Sequence, residues 1–184
     1  HLLISKELGE RSGIPQNRYR WYVAMARIRK AQGDLDEALE LLHEAERLYR
    51  RDFFPNVCPV AALVTRVWVA QGRVGEALGW AREQGLSVSD DLSYLREFEH
   101  ITLARVLLAQ YKSDHIDRFM LEAMGLLERL LKAAQEGERT GSIIEILVLR
   151  AIAHKVQGDI PAALAPLQEA LSLAEPEGYV RMFV

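Results

Sequence analysis

Three arginines, Arg27, Arg66 and Arg105, stand at intervals of 39 residues, and each follows a small residue: Ala26, Thr65 and Ala104. A guanidinium presents a planar fork of donors that fits a carboxylate or another anion. Three such forks in one register would form a ladder along a groove, suited to an anionic ligand or an acidic segment of a partner. The same fork fits a glutamate on a neighbouring helix, and then the ladder is structural; both roles remain open at this level. Apolar Ile152 takes the next place in the register. Trp68 lies two residues beyond Arg66 and adds an aromatic face. Arg27, Arg66, Arg105 and Trp68 are therefore the candidate ligand-binding residues, whereas Trp21, Tyr22 and Trp80 read mainly as packing, because rings at helical spacing more often fill a core.

Other chemistry finds little support. Neither a P-loop nor a dinucleotide fingerprint occurs, so no nucleotide or other cofactor is expected in this segment. The histidines at 1, 43, 100, 115 and 154 lack metal-ligand spacing. Cys58 is the only cysteine, which excludes an internal disulfide and leaves a zinc site without paired ligands. Lying between Val57 and Pro59, it has no base that the sequence can place beside it. A net charge of −3 with pI near 6.0 gives no general grip on phosphates, so direct nucleic-acid contact is not expected. No stretch is apolar enough to span a bilayer. The expectation is a cytoplasmic binding module, not an enzyme. His1 at one end and an apolar run up to Val184 at the other suggest an internal fragment of a larger protein.

The elements that would position the arginines come from an internal repeat. Ala31-Gln32-Gly33-Asp34-Leu35, Ala70-Gln71-Gly72-Arg73-Val74 and Val156-Gln157-Gly158-Asp159-Ile160 each read as helix, tight turn, helix. Glycine supplies the left-handed conformation that closes the first helix, and Pro161 sits where a first-turn proline is tolerated. At Ala109-Gln110 a fourth copy appears with a longer polar loop, 111–117, in place of the turn. Seven residues before each turn stand Ala26, Thr65, Ala104 and Ala151, and five after the glycines stand Ala38, Ala77 and Ala163. Small residues at both offsets let paired helices approach closely, the tetratricopeptide signature. Repeat spacings of 39 and then 47 residues exceed the usual length of about 34, so longer helices or connections must absorb the difference.

First helices are expected near 17–32, 57–71, 90–111 and 141–157, second helices near 35–50, 74–84, 118–136 and 160–174, with a further helix near 1–10. Residues 143–149 are apolar nearly all round, as a strand would be, but their place before a turn makes them a buried helix. Pro166 should kink the last helix. Asp90-Asp91 read as caps of the helix that follows. The stretch Arg96-Glu97-Phe98-Glu99-His100 reads as a solvated or salt-bridged helix face, with a binding surface as the alternative. The fold class is thus all-α, a tetratricopeptide-like right-handed superhelix of about four helix pairs, in a single domain over 1–184.

With the repeats placed, the chain resembles the helical sensor region of the MalT-like, ATP-dependent group of LuxR-family transcription regulators. The resembling text is AQGDLDEALELLHEAERLY at 31–49, residues 53–110 from FFPNVCPVAALVTRVWVAQG onward, and ALSLAEPEGYVRMFV at 170–184. The resemblance implies a nucleotide-binding domain before this segment and a helix-turn-helix after it. It also implies that a small-molecule inducer or a regulatory protein acts on the repeats and alters self-association. The inducer is not named by any residue. A free-standing tetratricopeptide adaptor gripping a peptide of a partner is the alternative.

Overall fold

A computed structural model describes residues 15–49 and 56–178. The expected helix near 1–10 lies outside the described residues. Eight α-helices follow in order: α1 (Pro15–Gln32), α2 (Leu35–Leu48), α3 (Val60–Ala70), α4 (Val74–Glu83), α5 (Glu97–Asp114), α6 (Asp117–Glu136), α7 (Thr140–Val156) and α8 (Ile160–Glu177). A single 3-10 turn, Tyr94–Arg96, precedes α5, and no strand occurs among the described residues. The fold is all-α, in four helix pairs.

The chain divides into two compact units, His1–Trp80 and Ala81–Val184, the boundary falling inside α4. In the first, α1 packs on α2 and α2 on α3. In the second, α5 packs on α6, α6 on α7 and α7 on α8, while α5 also meets α7 directly. In the second unit a first helix thus meets both its own second helix and the next first helix, as stacked helical repeats do.

Each tight turn works through its glycine. Gly33, Gly72 and Gly158 have φ of 85°, 75° and 82°, a left-handed backbone that a side chain resists. The next residue's N–H then reaches back to the helix just ended: Asp34 to the Arg29 carbonyl at 2.9 Å, Arg73 to Trp68 at 2.9 Å and Asp159 to His154 at 3.0 Å. These bonds satisfy carbonyls that a helix end leaves bare. The small positions are all buried: Ala26, Thr65, Ala104 and Ala151 on first helices, and Ala38, Ala77 and Ala163 on second helices.

Residues 143–149 are helical, within α7, and Ile144, Ile146, Leu147 and Leu149 are all buried. Contact with α5, α6 and α8 explains why this helix lacks a polar stripe. In α8 the helix runs through Pro166 to Glu177.

Two expectations need correction. The fourth turn is not a longer loop: α5 continues to Asp114, and only His115 and Ile116 separate it from α6. His115 takes φ of 56°, doing the work of the missing glycine, so the added length of the 47-residue interval lies in the end of α5 and the long α6. The helix expected from residue 90 begins instead at Glu97, and residues 84–96 form an extended connection. Asp90 therefore caps nothing; its carboxylate accepts the Ser87 N–H at 2.9 Å and meets His100 Nε2 at 3.1 Å.

Candidate functional site

Within the first unit, exposed Arg27 on α1 donates from Nη2 to Cys58 Sγ at 3.3 Å. Tyr19, whose ring lies 5.6 Å from that of Tyr49, has its phenol pushed above the ordinary value. Burial is the main cause, with Cys58 and Tyr49 adding to it and Arg27 opposing. Arg66 sits half-buried on α3, one residue past Thr65, which is fully buried and returns its hydroxyl to the Ala61 carbonyl at 2.8 Å. Trp68 is half-buried and carries the Arg73 guanidinium 5.6 Å from its ring centroid; its indole N–H is buried with no hydrogen-bond partner among the described residues. Gln71 of the second turn donates to Asp36 at the start of α2 at 2.7 Å, and Arg29 pairs with Glu37 at 3.0 Å.

In the second unit Arg105 donates from Nε and Nη2 to one oxygen of Glu145, at 3.1 and 2.9 Å. Glu145 is on α7, the first helix of the following pair. Arg105 thus makes the inter-helix ion pair that was one of the two roles open to the register.

A denser polar construction in the second unit escaped the sequence reading. The connection 84–96 is clasped to the helices at several points. His100, 1 % exposed, sets Nδ1 3.0 Å from the Arg96 carbonyl and Nε2 3.1 Å from Asp90. Arg96 reaches the Gln84 carbonyl at 2.9 Å and pairs with Glu99 at 3.0 Å. Arg129, on α6, donates to the carbonyls of Val88 and Asp90. Asp90 is held below the usual carboxylate range, first by the Ser87 N–H and next by His100.

Glu97 opens α5 and is 6 % exposed. Arg139 gives it Nε at 2.8 Å and Nη2 at 2.6 Å, and Ser142 gives its hydroxyl at 2.5 Å. Arg139 Nη2 also donates to the Ala133 carbonyl at 2.7 Å, and the guanidinium lies 5.8 Å from the Tyr94 ring. Gly137 makes this possible. A Cβ there would stand 1.6 Å from Arg139 Nη1, so the guanidinium occupies the space a side chain would need. The stretch 96–100 is therefore salt-bridged but not solvated, since Glu97, Glu99 and His100 are buried. The available signal was a pair of glutamates, Glu97 and Glu99, in the first turn of a helix that continues through apolar Ile101, Leu103, Val106 and Leu107, together with Gly137 two residues before Arg139.

Beside this cluster opens a cavity of about 200 Å³, lined by Leu92, Ser93 and Tyr94 of the connection, Glu97, residues of the last turns of α6 including Glu136, and Arg139. Among the described residues no group of side chains could hold a metal ion, and no helix is long and apolar enough to cross a membrane.

No curated protein and no solved structure gives a match. One protein-family model does, over residues 1–184, and its description is the MalT-like TPR region. Paired helices, glycine turns and small buried contact positions are what such a region requires, and the match spans every residue, so the chain belongs to the MalT-like tetratricopeptide region family.

Proposed function

We propose that this chain is the sensing and interaction arm of a MalT-like, ATP-dependent LuxR-family transcription regulator, with the nucleotide-binding and DNA-binding domains elsewhere in the same protein. The family match over residues 1–184 carries the reading. The chemistry agrees with it: the described side chains form ion pairs and a polar cavity. Binding, not bond-making, is the work such a surface suits. The partner is a small-molecule inducer or a regulatory protein, and its capture changes self-association of the whole regulator. Arg27, Arg66 and Trp68 are the binding candidates of the first unit, and Arg105, ion-paired with Glu145, is that of the second.

The coding sequence on either side tests this. A phosphate-binding loop upstream and a helix-turn-helix downstream support the regulator. An open reading frame holding neither makes the chain a free-standing adaptor.

A further inference from the structure

We propose that the cavity between the 84–96 connection and the ends of α5, α6 and α7 is a ligand site for a small molecule with an ammonium group next to a hydrogen-bond acceptor, the pattern of a free amino acid. The inference deepens the sensor reading, and rests on it only for the biological use of the site.

The connection supplies the first argument. Residues 84–96 are held by Arg96, His100 and Arg129 through carbonyls and a carboxylate. A link between repeats needs no such fixing, since most loops of this kind are short and solvated. What the clasp fixes is the wall formed by Leu92, Ser93 and Tyr94. Pre-setting a wall in this way removes the cost of ordering it when a ligand arrives.

The lining supplies the second. Glu97 is nine-tenths buried, and both its oxygens are taken by Arg139 and Ser142, so this floor is a neutralised pair. Glu136 is exposed and lacks a protein partner among the described residues, leaving one uncompensated negative charge on the lining. That charge selects a cation. Arg139 commits Nε and Nη2 to Glu97 and Ala133, and Nη1 is the guanidinium nitrogen without a partner among the described residues. It can receive a carboxylate or carbonyl oxygen. The Ser93 and Tyr94 hydroxyls add donors, with Tyr94 58 % exposed, and Leu92 and Leu130 give an apolar wall for a side chain. A volume of about 200 Å³ holds roughly six or seven waters, which limits the guest to a small molecule.

The test is ligand-observed NMR followed by calorimetry on the whole chain, with each proteinogenic amino acid and, for any that binds, the amine lacking its carboxylate. At least one amino acid should bind saturably. Glu136→Gln should weaken it by about ten-fold or more, the loss of a charge-assisted contact, with the unfolding midpoint unchanged. The decarboxylated amine should also bind more weakly. Ser93→Ala serves as a second exposed variant expected to fold normally and bind less well. Absence of binding by every amino acid at millimolar concentration would overturn the proposal, as would binding that ignores Glu136→Gln. Neither result touches the regulator reading, which stands or falls on the flanking coding sequence.

Discussion

Arg105 and Glu145 join the first helices of two successive pairs, with Nη2 and the carboxylate oxygen 2.9 Å apart and both side chains largely out of water. The contact lies one residue beyond Ala104, which has no exposed surface. Removing either charge strands the other in a partly buried setting. Arg105→Met and Glu145→Gln should each cost about 1–3 kcal/mol. A double-mutant cycle from denaturant unfolding should show the two losses to be non-additive, whereas simple addition would mean the pair contributes nothing.

Gly137 is constrained by space. Its φ of −95° suits any residue, but the Arg139 guanidinium fills the position of a Cβ. Gly137→Ala should displace Arg139 from Glu97 and Ala133 at a cost of about 1–3 kcal/mol, the penalty for leaving a buried polar group short of partners. Thermal unfolding of this variant beside Arg139→Met checks the mechanism: the two should be destabilised alike, and the double variant little further.

Ala104 reports on packing. Its side chain has no exposed surface, so Ala104→Leu should lower stability by about 1–3 kcal/mol through overpacking. Circular dichroism melting measures it. An unshifted midpoint would place the residue outside the helix contact.

Asp90 gives the acid limb. Its folded-state pKa is depressed by the Ser87 N–H and by His100, so its contribution is present above the unfolded carboxylate value of about 3.9 and is lost as pH falls through the lower folded value. Asp90's hold on the connection should therefore weaken in acid. NMR titration should find Asp90 below the free carboxylate range, and Asp90→Asn should reduce the acid dependence of amide exchange in 84–96.

The turns and contact positions were legible because they are local: a glycine forced to positive φ at 33, 72 and 158, and a small residue at a fixed offset from it. The ion pairs were not. Glu145 lies 40 residues from Arg105, and Arg139 lies 42 from Glu97, separations over which residue type alone cannot choose a partner. Asp90 looked like a cap because a carboxylate before a helical pattern usually is one. Here a histidine ten residues on claims it. The fourth turn was misread for a similar reason, since a left-handed His115 leaves no glycine to see.

The most direct measurement compares the intact gene product with this chain in binding to ATP and to duplex promoter DNA, across a range of salt. The intact protein should bind both, with the chain alone binding neither, as its charge of −3 and lack of a phosphate loop imply. Micromolar, salt-sensitive DNA binding by the chain alone, or an intact protein that binds neither ligand, would contradict it.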